Sequence, residues 1–250
     1  MEGAPPLLEA LDLYIRFGGV VAAAGISLQV YPGELLAIIG PNGAGKTTFL
    51  NLCTGYLRPE RGRVLLEGKE ITGLPPRAIA RMGVARAFQI PQLFTEHTVE
   101  ENLLLALAAR KGFWKWSYLR DDSRRQRARD LLALLGLENL ISVPVAEAPE
   151  GVRKLLDVAM ALALEPKLLL LDEPTSGVSS EEKFRVMDTL VRALKTQGVT
   201  TVFVEHDMEV VRRYADRVAV WAEGRILAEG KPQEVLANPK VLASVVGVEE

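Results

Sequence analysis

Gly40-Pro-Asn-Gly-Ala-Gly45-Lys46-Thr47 sits directly after the apolar run Leu35 to Ile39 and before a helical pattern that runs from Thr47 to Thr54 and stops at Gly55. Glycine, lysine and hydroxyl in this spacing, between a buried strand and a helix start, form a phosphate loop. The backbone must curl with its N–H groups pointing inward, in conformations that a Cβ penalises, and Gly43 and Gly45 supply that freedom. Lys46 is expected to set its charge against β- and γ-phosphates, while the helix adds its N-terminal dipole. The Thr47 hydroxyl offers a ligand for Mg²⁺. With Pro41, Asn42, Ala44 and Thr48 completing the loop, the segment reads as a site for a nucleoside triphosphate with magnesium. A chance match of the bare pattern in such a chain has a probability of about one in a hundred, before the strand and helix context is required.

The rest of the chain supports a large α/β unit around that loop. At 250 residues and 48% hydrophobic composition it can bury a real core, as one domain or as a core with a subdomain. Leu7 to Ile15 and Val20 to Val30 flank Gly18 and Gly19 and read as paired strands. From Pro91 to Pro166 the pattern turns helical, with a capping box at Thr98-Val-Glu-Glu101 and a helix from Ser123 to Leu135 stopped by Gly136. Beyond it come a strand at Leu168 to Leu171, a helix at Glu181 to Lys195, a strand at Thr200 to Val204, a helix at Asp207 to Tyr214 and a hairpin turning at Glu223-Gly224. Strands alternating with helices imply a parallel sheet covered on both faces. The cluster Phe113, Trp114, Trp116 and Tyr118 reads equally as local packing or as a partner surface.

Charge and composition exclude several classes. Thirty basic against 32 acidic residues leave a net charge of −2, so no overall positive field draws nucleic acid, and none is expected as a partner. The longest apolar runs, Leu103 to Ala109 and Val158 to Leu164, fall far short of the roughly 18 residues of a membrane span. The opening residues carry no positive charge and lead into no long apolar stretch, so no secretory signal is expected and the chain is placed in the cytoplasm. Cys53 is the single cysteine and reads as a small buried residue in a reducing compartment.

Leu168 to Leu171 deliver Asp172 and Glu173 to the end of a buried strand, where ligands collect in open α/β sheets. Asp172 suits the Mg²⁺ shell, and Glu173 suits polarising a water in line with the γ-phosphate. Val202 to Val204 similarly bring His206 to a strand end, where an imidazole can contact that phosphate and hold the water. Alone, each feature also fits a polar turn or a surface histidine.

Taken in order, the loop, Gln89 after the strand Val84 to Phe88, the Asp172-Glu173-Pro174 segment and His206 after Val-Phe-Val-Glu205 resemble the ATP-binding subunits of ABC transporters. The resemblance spans nearly the whole chain. It implies a P-loop NTPase (RecA-like) α/β fold with a mixed sheet, an N-terminal antiparallel β subdomain and an inserted α-helical subdomain. On this view 1–250 is a single ABC ATPase domain, with 1–90 and 167–250 forming the β subdomain and RecA-like core and 91–166 the helical part. Gln89 would reach Mg²⁺ and the attacking water and link the site to the helical part and the membrane subunits. Phe17 best fits the aromatic that stacks on adenine, with Tyr14 as the alternative and core packing open for either. Ile71-Thr-Gly-Leu-Pro-Pro76, Ile79 to Gln89, Leu93-Phe94 and the ending Gly230 to Pro239 through Val246-Gly247 are similar to the branched-chain amino acid importer branch. The expected role is to energise an importer of branched-chain or other hydrophobic amino acids from the cytoplasmic face of the membrane. Importers of urea, amides or other small polar solutes remain alternatives, as do an ATPase of a soluble machine and a nucleotide-binding regulator with little turnover.

The chain departs from the family in one place that matters. Family members usually carry Leu-Ser-x-Gly-Gln at a helix start, whose serine hydroxyl and backbone N–H groups clasp the γ-phosphate held by the opposite subunit. Here the aligned stretch is Ala148-Pro149-Glu150-Gly151-Val152. Pro149 has neither hydroxyl nor N–H, Glu150 adds a negative charge, Val152 replaces a polar residue, and only Gly151 remains. Ser176-Gly-Val-Ser179 also lacks the usual aspartate, although Ser179 with Glu182 suits a helix N-cap and capping box. The expectation is a complete phosphate half-site beside a poor signature half-site. That favours a heterodimer with a second ABC ATPase subunit over a homodimer, on two integral membrane permease subunits served indirectly by an extracytoplasmic solute-binding protein.

Overall fold

The computed structural model describes residues 4–111 and 122–246. The aromatic cluster at 113–118 lies outside the described residues. Two long strands, β1 (Leu8–Phe17) and β2 (Val20–Val30), pair antiparallel through the Gly18-Gly19 turn. The buried strand β3 (Leu35–Ile39) then runs into the glycine loop and α1 (Lys46–Cys53). Strands β4 (Arg61–Leu66) and β5 (Lys69–Glu70) complete a four-stranded antiparallel sheet in the order β2-β1-β4-β5. After α2 (Pro76–Arg81), strand β6 (Val84–Ala87) leads to three helices, α3 (Val99–Lys111), α4 (Asp122–Leu134) and α5 (Glu150–Leu162). The chain then alternates β7 (Leu168–Asp172), α6 (Lys183–Gln197), β8 (Thr200–Val204) and α7 (Met208–Tyr214). It ends with β9 (Arg217–Ala222), β10 (Arg225–Gly230), α8 (Pro232–Val235) and α9 (Pro239–Val246).

The second sheet has the order β10-β9-β3-β8-β7-β6, parallel except for the β9–β10 hairpin. Strand β3 is apolar throughout and β7 is apolar up to Asp172 because both faces are covered, and the period of two sorts the side chains. Leu36, Ile38, Leu168, Leu170, Val202 and Trp221 face the layer that holds α1 and the antiparallel sheet. Leu35, Ile39, Leu169, Leu171, Phe203 and Val220 face the layer built by α3 to α7. No helix among the described residues is long and apolar enough to cross a membrane.

Local chemistry sets the element ends. The Thr98 hydroxyl accepts the Glu101 N–H at 3.3 Å and the Glu101 carboxylate accepts the Thr98 N–H at 2.9 Å, closing the box that starts α3. Asp207 caps α7 by accepting the N–H groups of Glu209 and Val210. The start of α6 differs from expectation. The Ser179 hydroxyl does accept the Glu182 N–H at 3.3 Å, but Glu182 answers with its carboxylate on that hydroxyl instead of on the backbone. The pair closes a turn, and regular helix begins only at Lys183.

Candidate functional site

The parallel order of the large sheet aligns four segments on one edge. Moving across it, the glycine loop follows β3, His206 follows β8, Asp172 and Glu173 end β7, and Gln89 follows β6. All four leave the carboxyl ends of neighbouring strands, so residues far apart in sequence become neighbours by topology.

The loop is pinned from behind and open in front. Gly45 is left-handed at φ 96° and caps α1. A Cβ there would stand 2.0 Å from the Ala22 carbonyl oxygen of β2, and one on Gly40 would stand 2.2 Å from the Trp221 carbonyl oxygen. Gly43 also has a positive φ, of 80°, yet nothing lies within 4 Å of where its Cβ would be. Its side of the loop is therefore open, as close approach of a phosphate chain to the backbone requires. Ala44 is buried, and its carbonyl accepts the Gly224 N–H at 3.2 Å from the β9–β10 turn. Pro41, Asn42 and Thr47 are exposed and Thr48 is half-buried. Lys46 is buried, with its ammonium donating to the carbonyls of Gly40 at 2.7 Å and Pro41 at 2.8 Å. Burial lowers its pKa, while Glu173 and Asp172 pull in the opposite direction.

Glu173 is the hub of the edge. It adopts a positive φ of 50° beyond the end of β7, which turns its side chain out of the strand register. One carboxylate oxygen accepts from the Gln89 amide at 2.6 Å and the other lies 2.8 Å from His206 Nε2. The structure therefore brings Gln89, Glu173 and His206 into one polar cluster. Phe17 is 48% exposed at the end of β1. It pairs with Val20, two residues before Ala22, where β2 passes the loop. Tyr14 instead has its ring face covered by the Arg61 guanidinium at 4.5 Å, which leaves Phe17 as the free aromatic of the two.

Asp172 has a partner that the motif reading missed. Arg86 on β6 bonds its carboxylate at 2.8 Å, with both side chains almost fully buried. Arg86 also donates to Asn51 on α1 and lies over the Phe88 ring. Glu205 was missed as well. One of its oxygens accepts the Thr175 N–H at 3.1 Å and hydroxyl at 2.7 Å, and the other accepts the His206 N–H at 3.1 Å. It thereby clamps the loop after Glu173 to the segment carrying His206, and desolvation raises its pKa. The available signal was a charged residue abutting or interrupting a buried strand, where a charge persists only when paired.

Thr47 hydroxyl, Asp172 carboxylate and Gln89 amide carbonyl are hard oxygen donors, which is the donor chemistry Mg²⁺ selects. In the signature stretch Pro149 stands at the N-cap of α5 with no side-chain cap, and Glu150 occupies the first turn. Gly151 packs toward Val186 and Val178, and Val152 packs against the helical core layer.

Residues 23–176 match the family model described as ABC transporter. The high-affinity branched-chain amino acid transport ATP-binding protein LivG of Escherichia coli K12 is 38% identical over 97% of this chain and 98% of its own. A crystal structure of the ADP conformation of an ATP-binding cassette of an ABC transporter superposes with a TM-score of 0.87 at 32% identity, covering 98% of this chain and all of that one. A dimeric post-hydrolysis cassette bound to ADP and Pi gives a TM-score of 0.77 at 26% identity, covering 90% of this chain and 98% of that one.

Proposed function

The chain belongs to the ABC transporter ATP-binding family, and from that premise we propose that it hydrolyses ATP to energise a membrane importer of branched-chain amino acids. The observation that carries the catalytic part is the shared sheet edge, on which the open loop, Asp172 and the Gln89–Glu173–His206 cluster converge. The transported cargo rests on the kinship with LivG.

In this reading Gly43, Gly45 and the α1 N-terminus cradle the phosphates through backbone N–H groups. Lys46, Pro41, Asn42, Ala44, Thr47 and Thr48 complete that cradle, and Phe17 stacks on the base. Thr47, Asp172 and Gln89 would hold Mg²⁺, which when bound neutralises charge on the β- and γ-phosphates. Glu173 takes the proton of the attacking water, and its extended contact with His206 and Gln89 orients it and holds it at the end of β7. The chain acts as a single unit over 1–250, with 91–166 as the helical part that carries the signature stretch. It works at the inner face of the membrane on two permease subunits, with a solute-binding protein delivering cargo to them.

Pro149, Glu150 and Val152 leave the signature half-site without its hydroxyl and its first amide donor, which favours a heterodimeric partner that supplies an intact one. Glu173→Gln tests the chemistry: ATP binding should persist while turnover of the assembled complex falls at least a hundredfold, because only water activation is removed. Lys46→Ala should instead abolish nucleotide binding. Brisk cooperative ATPase activity by the isolated chain would exclude the asymmetric arrangement, and failure to co-purify with hydrophobic membrane subunits would exclude the importer.

A further inference from the structure

The helix that begins at the altered signature also holds the Gln89 segment, through two side chains that no motif singles out. Lys154 and Asp157 are one turn apart on α5 and share a face. Asp157 Oδ2 accepts the Phe88 N–H at 3.0 Å, and its carboxylate also accepts the Gln92 N–H. One carboxylate thus spans both sides of Gln89. Lys154 donates its ammonium to the carbonyl of Gln89 itself and lies 3.4 Å from the carbonyl of Glu173. Both side chains are buried. An ammonium withdrawn from water needs compensation, and here it comes from two carbonyls with Glu150, Asp157, Glu173 and Glu205 around them.

We propose that Lys154, assisted by Asp157, is a positioning residue that ties α5 to the backbones of Gln89 and Glu173, so that the signature helix and these two catalytic side chains move as one body. The proposal rests on the ATPase reading above. Its consequence is a division within one helix. In the proposed dimer the first turn of α5 would face the neighbouring subunit without phosphate-clasping groups, whereas the next turn serves the chain's own site through Lys154 and Asp157. The Gln89 and Glu173 side chains meet at 2.6 Å, and that separation depends on two backbone segments from different strands holding register. A cation bridging the two carbonyls fixes that register directly.

The test compares Lys154→Met with Lys154→Arg in the full complex, together with thermal melting and nucleotide binding by each variant. Lys154→Met should lower kcat about tenfold or more, with KM for ATP and nucleotide affinity within twofold of the unaltered protein. Lys154→Arg, which keeps the cation and its reach, should recover at least a third of the lost rate. Amide hydrogen exchange in the isolated full chain gives a readout independent of catalysis. The segment 88–92 should exchange faster in Lys154→Met, with strands β3 and β7 unchanged. Turnover by Lys154→Met at the unaltered rate, or a rise in KM that accounts for the whole loss, would overturn the positioning role. So would arginine failing to rescue a variant that melts normally. A complex that binds ATP through Lys46 yet never cleaves it would defeat the ATPase reading instead, and the exchange pattern would still decide whether the tether exists.

Discussion

Replacing Arg86 by methionine removes a cation from a place where its partner cannot reach water. Arg86 and Asp172 are 7% and 6% exposed at the side chain and meet at 2.8 Å. Breaking one side of a buried pair costs about 3–5 kcal/mol, because the remaining charge stays desolvated and unpaired. Arg86 also donates to Asn51 on α1, so the substitution frees an acceptor on the helix that follows the phosphate loop. Methionine keeps most of the apolar contact with Phe88, which confines the loss to electrostatics and hydrogen bonding. A destabilisation of about 4 kcal/mol follows, equivalent to a fall in Tm of about 8–16 °C for a chain of this size. Urea unfolding followed by tryptophan fluorescence measures it. The decisive arm is the double variant: adding Asp172→Asn to Arg86→Met removes the orphaned charge and should restore at least half of the lost stability, with a coupling above about 2 kcal/mol. An Arg86→Met protein within about 1 kcal/mol of the original, or two losses that simply add, would show that the pair does not act as a buried unit.

Other consequences follow from burial and backbone geometry. Cys53 is fully buried and desolvation pushes its thiol pKa far up, so a thiol reagent at pH 8 should label the folded protein at least a hundredfold more slowly than the urea-unfolded chain. Comparable rates would place Cys53 outside the core. Asp157 has a folded pKa of about 6 against an ordinary 3.8, raised by burial against the opposing pull of the Phe88 and Gln92 N–H groups and Lys154. Between those values the native state holds a proton that the unfolded chain has released, so this group's contribution to stability falls as pH rises through that window. The total is on the order of 3 kcal/mol. Asp157→Asn cannot ionise, and its stability relative to the parent should therefore rise by up to that amount from pH 4 to pH 7.5; a difference that does not change with pH contradicts the assignment. Gly45→Ala combines a positive φ with a 2.0 Å approach to the Ala22 carbonyl. It should weaken ATP binding at least tenfold by displacing the loop from β2, as isothermal titration would report, and unchanged affinity would refute that packing argument.

Much of this architecture was readable beforehand because its signals are local and periodic. Leu35 to Ile39 and Leu168 to Leu171 are continuous apolar runs because their strands are covered on both faces, and the glycines at 40, 43 and 45 mark turns that few other sequences can make. Thr98 marks a helix start through a side chain that satisfies a backbone donor nearby. Ser179 misled by two residues, since a capping pair stabilises a first turn without obliging regular helix to begin in it. What could not be read were the contacts of charged side chains with partners far away along the chain. Arg86 finds Asp172, Glu205 finds Thr175, and Lys154 finds Gln89 only after the strand order has placed β6, β7 and β8 side by side.

Those long-range pairs bear on the proposal of a weakened signature beside an otherwise complete site. At the start of α5 Pro149 is exposed and Glu150 is half-buried, and neither belongs to the core of its own subunit. Pro149 and Glu150 can therefore occupy such positions while α5 still forms, since a proline before the first turn forfeits no intrahelical N–H bond and an acid suits the first turn. Val152 instead packs against the helical core layer. Arg86, Lys154, Asp157 and Glu205 stand under a different constraint, because each is buried and pairs with groups that would otherwise be desolvated alone. Loss of the outward function costs the fold almost nothing, and loss of the inward contacts costs several kcal/mol. Under the heterodimer proposed above, a subunit whose partner supplies an intact signature would shed the first set and keep the second, and this sequence fits that expectation.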